Sequence, residues 1–181
     1  MAKASASALT AKAKKIKLLI FDVDGVLTDG RIILDNDGNE FKAFHVRDGH
    51  GIRMFIKAGF KVALITGRES KVVARRAQEL GIADVFQKSH RKTDAYRQVI
   101  KKFGVSDEEV AYVGDDVVDL PLFVRVGLPV AVADACSEAQ KAAVYVTKAA
   151  GGRGAAREVC ELILKAHGKW KELVNEYCAQ V

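Results

Sequence analysis

The chain reads as an α/β protein built on a doubly wound parallel sheet, and three observations predict it. Short apolar runs, at 16–21, 61–65, 110–113 and 129–132, alternate with longer segments of helical period. Two of those helical segments close on a glycine, Gly81 and Gly104. Residues able to do chemistry recur just after the apolar runs, where open α/β sheets bind their ligands.

Taken in order, the first strand is 16–21, apolar except for one lysine, and it runs into Asp22-Val-Asp-Gly-Val-Leu-Thr28. Two strand-like runs, 31–34 and 40–46, flank the turn-forming cluster 35–39 and predict a β-hairpin. A lone hairpin is marginal in water, and this one carries Ile32, Ile33, Leu34, Phe41, Phe44 and Val46. Another subunit is the expected cover. A helix over 51–58 leads to the strand 61–65, which ends in Thr66-Gly67-Arg68. Next come a helix over 69–80, a short strand at 85–86, and a helix over 93–103. Ser106-Asp-Glu-Glu109 fits a capping box ahead of the strand 110–113, which ends in Gly114-Asp115-Asp116. A short helix over 119–126, a strand at 129–132, a helix over 138–143 and a strand at 145–146 follow. The loop Gly151-Gly-Arg-Gly154 opens a terminal helix that breaks at Gly168, before a second piece over 169–178.

The 181 residues, 49% hydrophobic, suffice for one well-filled domain. Most of the formal charge of +6 resides in the tail: residues 1–17 hold five lysines and no acid, which leaves 24 of the 29 basic residues against all 23 acidic ones. Nucleic-acid binding needs a basic face on the domain itself, so no nucleic-acid partner is expected. Residues 1–15, rich in Ala, Ser and Lys, read as a disordered basic tail with no secretion-signal core. No apolar run approaches membrane-span length. Cys136, Cys160 and Cys178 are odd in number and without metal spacing, which predicts reduced thiols in a cytoplasmic protein.

In extended backbone, residues two apart project to the same side, so Asp22 and Asp24 can meet at a strand end. Like charges held together need a cation or a proton between them. With Thr66-Gly67-Arg68, Lys92 and Gly114-Asp115-Asp116 plus Asp119 at neighbouring strand ends, the set suits phosphoryl transfer. One carboxylate can attack phosphorus, and a second can protonate the leaving alkoxide and then deprotonate water. Carboxylates without neighbouring His or Cys suit Mg²⁺. The Thr66 hydroxyl, the Gly67 N–H and a lysine can hold the equatorial oxygens. Lys88, in the same basic loop as Lys92, is a rival for that last role.

In that order, Asp22-Val-Asp-Gly-Val-Leu-Thr, Ile65-Thr-Gly-Arg68, Lys92 and Gly114-Asp-Asp-Val-Val-Asp119 resemble the four motifs of the haloacid dehalogenase-like phosphatases. Thr28-Asp-Gly30, Phe44-His-Val-Arg-Asp-Gly49 and Gly151-Gly-Arg-Gly-Ala-Ala-Arg-Glu158 are similar to the 3-deoxy-D-manno-octulosonate 8-phosphate phosphatases. The resemblance implies a Rossmann-like haloacid dehalogenase fold with a hairpin flap and no separate cap domain. It implies one phosphatase domain over 16–166, hairpin 31–46 included, and a helical extension over 167–181. Asp22 would be the nucleophile and Asp24 the general acid/base. Mg²⁺ would be held by the Asp22 carboxylate, the Asp24 backbone carbonyl and Asp115. Thr66, Gly67 and Lys92 would bind phosphate, although the family pattern leads one to expect glycine at position 88. Arg47, Arg68 and Arg153 are the candidates to recognise an anionic sugar acid, because guanidinium matches a carboxylate bidentately.

The implied activity is Mg²⁺-dependent hydrolysis of the octulosonate 8-phosphate through an aspartyl-phosphate, in lipopolysaccharide biosynthesis, by a cytoplasmic homotetramer. The same chemistry on a nine-carbon keto-sugar acid 9-phosphate and a non-catalytic oligomeric scaffold are the alternatives.

Overall fold

The computed structural model describes residues 5–179. Six strands, β1 (Leu18–Phe21), β4 (Lys61–Ile65), β5 (Asp84–Phe86), β6 (Val110–Gly114), β7 (Leu128–Ala131) and β8 (Tyr145–Val146), form one sheet, every pair parallel. Two more, β2 (Ile33–Leu34) and β3 (Glu40–Phe41), make a separate antiparallel ribbon. The sheet order is β5-β4-β1-β6-β7-β8. The chain therefore builds outward from β1 on one side, then returns to build outward on the other. The switch point lies between β1 and β6, the place where such sheets take ligands. Leu18, Leu19, Ile20 and Phe21 are all fully buried, as expected of a central parallel strand covered on both faces.

Helices α2 (Val46–Lys57), α3 (Lys71–Leu80) and α7 (Ala155–Ala166) pack together, while α4 (Lys92–Phe103), α5 (Leu120–Phe123) and α6 (Ser137–Ala142) form a second group. Right-handed crossovers put the two groups on opposite faces of the sheet. The last helix, α8 (Trp170–Cys178), rests on α7, with Leu173 buried and Trp170 beneath Arg157 and Lys165. No helix among the described residues is long and apolar enough to cross a membrane.

Three expectations change. Most of the tail expected to be disordered is a helix, α1 (Ala6–Ala13), capped by Ser5 and packed on α7. Ala13 and Ile16 are fully buried, and Lys12 Nζ donates to Gly127 O at 2.9 Å. These tertiary contacts offset what is lost in ordering a short, weakly amphipathic helix. Residues 1–4 and 180–181 lie outside the described residues. Helix α2 starts at Val46, five residues before the expected start. Gly49 and Gly51 disguised its first turns, and they are there because neighbours press in. A Cβ on Gly49 would lie 2.2 Å from Arg76 Nη2, and one on Gly51 2.7 Å from Arg157 Cδ. The hairpin is also shorter than 31–46, pairing only Ile33 with Phe41 and Leu34 with Glu40.

Candidate active site

The carboxyl ends of β1, β4 and β6 and the start of α4 open onto one cavity of about 320 Å³, bordered by Asp22, Asp24, Thr66, Gly67, Arg68, Lys92 and Asp115. Asp22 follows β1 directly and is buried. Its Oδ1 accepts from the Val23 N–H at 2.7 Å, and its Oδ2 faces Lys92 Nζ at 2.8 Å. Thr66 ends β4, also buried, and the Arg68 N–H reaches back to its hydroxyl at 3.4 Å.

Lys92 opens α4 and is nearly all buried. Its ammonium lies between Asp22, Asp119 Oδ1 at 2.6 Å and the Tyr112 hydroxyl at 3.2 Å. Burial works to lower the Lys92 pKa, but the charges of Asp22 and Asp119 outweigh it and hold the amine above its ordinary value. The rival Lys88 turns away and pairs with Glu69 at 2.6 Å. Its φ of +54° is the left-handed conformation that favours glycine, so the residue expected there is the one the backbone prefers.

Asp119 is fully buried, and both of its oxygens are occupied. Oδ1 accepts from Lys92 and from the Tyr112 hydroxyl, each at 2.6 Å, and Oδ2 from the N–H groups of Asp115 at 2.9 Å and Asp116 at 3.3 Å. It therefore shapes the turn that carries Asp115. Gly25 makes room for that turn: at φ +86°, a Cβ there would lie 2.1 Å from Asp115 Oδ2.

Asp22, Asp115 and Asp119 offer oxygens within 4.8 Å of one another. Against these three carboxylates stands the single ammonium of Lys92, so about two negative charges are uncompensated. Burial first, and then the neighbouring carboxylate charges, push Asp115 up to about 7. Burial with Asp119 pushes Asp22 up to about 6 against the pull of Lys92. A hard oxygen set short of two positive charges fits Mg²⁺. Because the lone pairs of Asp119 are already engaged, Asp22 and Asp115 are the side chains free to take it.

The three arginines separate. Arg68 borders this cavity, held by Glu40 at 3.1 Å. Arg47, in the first turn of α2, and Arg153, just before α7, border a different cavity of about 420 Å³ with Lys148 and Arg157. The two helices lie side by side, so their starts converge there and not at Asp22 within one chain. Asp48 explains the convergence: its buried carboxylate accepts from the N–H of Gly154 at 3.1 Å and of Arg157 at 2.7 Å, capping α7 from α2. Sequence reasoning missed Lys42, whose buried ammonium meets Asp24, and also Ser89 and His90, which border the cavity. The signal for the latter pair was available, since both lie on the loop just before Lys92.

The comparisons with known proteins agree with this geometry. A family model for haloacid dehalogenase-like hydrolases matches residues 77–159. The 3-deoxy-D-manno-octulosonate 8-phosphate phosphatase of Escherichia coli K12 is 52% identical over 162 residues, covering 90% of this chain and 86% of that protein. The chain belongs to this phosphatase family. Among solved structures, the family's Yersinia pestis enzyme matches with a TM-score of 0.91 at 48% identity, over 92% of this chain and 90% of that one. The Moraxella catarrhalis phosphatase, in complex with a magnesium ion, a phosphate ion and the octulosonate sugar, matches with a TM-score of 0.93 at 41% identity. That match covers 96% of this chain and 99% of the other.

Proposed function

We propose that the chain is a Mg²⁺-dependent phosphomonoesterase that hydrolyses 3-deoxy-D-manno-octulosonate 8-phosphate to the free sugar acid and phosphate, in lipopolysaccharide biosynthesis. The observation that carries the chemistry is the meeting of Asp22, Asp24, Lys92 and Asp115 in one cavity at the switch point. The substrate rests on the family.

In this reading an oxygen of Asp22 attacks phosphorus, and the bond from phosphorus to the sugar's O8 breaks. Asp24, protonated, gives its proton to the departing O8. The Asp24 carboxylate then takes a proton from a water whose oxygen attacks the phosphoryl-Asp22, freeing phosphate and the Asp22 carboxylate. Lys92, the Thr66 hydroxyl and the Gly67 N–H bind the phosphoryl oxygens. Asp22, Asp115 and the Asp24 carbonyl would hold Mg²⁺, which would neutralise the negative charge of the carboxylates and the phosphoryl group. Arg68 receives the sugar's carboxylate.

A homo-oligomer, a tetramer, belongs to the same proposal. Ile32, Ile33, Leu34 and Phe41 of the hairpin are between 44% and 59% exposed, an apolar group that association would cover. Arg47 and Arg153 would reach a substrate only across an interface between copies. A cytoplasmic location is supported by the three free thiols.

The deciding experiment measures phosphate release with and without Mg²⁺ from the octulosonate 8-phosphate, a nine-carbon 9-phosphate and a generic sugar phosphate. The octulosonate ester is expected to be strongly preferred and its hydrolysis abolished in Asp22→Asn. Preference for the nine-carbon ester would refute the substrate and keep the mechanism. No release from any ester would refute both.

A further inference from the structure

Asp24 differs from its acidic neighbours in how it is held. Asp22 has a backbone donor and a lysine, and Asp119 has four donors. Among the described residues, the hydrogen bond to the Asp24 carboxylate comes from Lys42 Nζ alone, at Oδ1. Oδ2 forms an ion pair with Arg68 Nε at 3.9 Å, beyond hydrogen-bond reach. One oxygen is therefore fixed and the other is free of hydrogen bonds beside the cavity, the arrangement a proton donor and acceptor needs.

Lys42 is itself fixed. Its side chain is 1% exposed, although it comes from the flap just after β3, and its ammonium also faces Glu40 Oε1 at 3.4 Å. Glu40 is held in turn by Arg68 Nη2 at 3.1 Å and by the hydroxyl of Ser70, the residue that caps α3. Two cations and two carboxylates thus form a self-neutral group beside the net-negative metal cluster. Immobilising a lysine costs side-chain entropy that its contacts must offset. Of its two carboxylate partners the ammonium hydrogen-bonds Asp24 and lies farther from Glu40, at 3.4 Å, so its placement points to Asp24.

We propose that Lys42, clamped by Glu40, is a positioning residue for proton transfer by Asp24, so that the flap takes part in the chemistry as well as covering the cavity. The proposal rests on the acid/base reading of Asp24 above. The alternative is that Lys42 merely tethers the flap.

The test uses full-length, Mg²⁺-saturated protein in single turnovers, which isolate cleavage of the ester from the later hydrolysis of the phosphoryl-enzyme. Two probes are compared, the octulosonate 8-phosphate and p-nitrophenyl phosphate. An alkoxide needs a proton to leave and p-nitrophenolate does not, so a general acid matters for the first ester only. Lys42→Met is expected to slow release of the sugar about tenfold or more and release of p-nitrophenolate less than about threefold. Lys42→Arg, which restores the donor, is expected to recover most of the sugar rate. Equal slowing of both esters, or of neither, overturns the proposal.

Should Lys42→Met fail to fold by circular dichroism, Glu40→Gln, which loosens the clamp without touching Asp24, reads the same ratio and decides by the same criterion. Wild-type protein inactive on the sugar ester would instead overturn the acid/base reading, and this proposal with it.

Discussion

Asp119→Asn separates shaping the site from binding the metal. The carboxylate accepts four hydrogen bonds in a fully buried setting, two from Lys92 and Tyr112 and two from backbone N–H groups. An amide can accept at one end only. If its oxygen keeps the two backbone donors, its NH₂ confronts the Lys92 ammonium, while the Tyr112 hydroxyl can rotate to accept. Lys92 retains Asp22 at 2.8 Å, so the full 3–5 kcal/mol typical of orphaning a buried charge is not reached. One charge-assisted bond lost, plus a donor facing a donor, gives about 2–4 kcal/mol. Urea unfolding in EDTA, with the slope unchanged, measures this without a contribution from metal binding. A loss below about 0.5 kcal/mol would refute the bonding pattern. Titration calorimetry with Mg²⁺ tests the second half. Asp119→Asn is expected to weaken Mg²⁺ about tenfold, the lower end of what losing a partner behind a ligand costs, and Asp115→Asn well beyond about a hundredfold. Equal losses would make Asp119 a ligand and refute the argument from its engaged lone pairs.

Other consequences are as direct. In EDTA the folded protein holds protons on Asp22 and Asp115 up to about pH 6 and 7 that the unfolded chain releases near pH 4, so stability should fall as pH rises through that window. The melting temperature should drop by several degrees between pH 5 and 8 in EDTA. The drop should vanish in saturating Mg²⁺ and shrink in Asp115→Asn. His167, lowered by burial, works in the opposite sense, so a rise with pH that Asp115→Asn leaves unchanged would contradict the assignment. Gly25→Ala should stay folded but lose at least about tenfold in Mg²⁺ affinity, since the new Cβ displaces Asp115; unchanged affinity in calorimetry would refute the close approach. Asp48→Ala should cost about 1–2 kcal/mol in urea unfolding, the value of the α7 cap it removes, and a neutral result would deny that cap.

What was legible in the sequence was whatever a strand end enforces locally. The pleat puts Asp22 and Asp24 on one side, an apolar run and a following glycine mark each turn, and a parallel sheet gathers the turns at one edge. The sheet and the gathering of Asp22, Thr66, Lys92 and Asp115 follow from that. What stayed hidden depends on contacts made far along the chain. Asp48 lies in the first turn of its own helix, yet it caps one whose N-cap, Gly154, is 106 residues later. The starts of α2 and α7 put Arg47 and Arg153 at a second cavity, with Arg153 Nη2 still 3.6 Å from Asp29 Oδ2 in the loop after the acidic turn. Lysines in a polar tail do not announce that Ala13 will be buried.

The small flap poses the remaining physical question: what holds so short a ribbon beside the cavity. Two paired residues on each strand cannot form a lid by main-chain hydrogen bonding, because so short a ribbon is marginal by itself. Ionic anchoring supplies what the ladder lacks. Glu40 ties the flap to the ends of β4 and the start of α3, and Lys42 ties it to the end of β1, so its position is set by the same strand ends that carry the chemistry. With Asp24 ionised the four charges cancel, so the flap adds no net charge beside Asp22 and Asp115, where uncompensated negative charge is needed to draw the metal. The apolar residues of the flap are left facing outward, free to be covered by another copy while its charged residues hold Asp24.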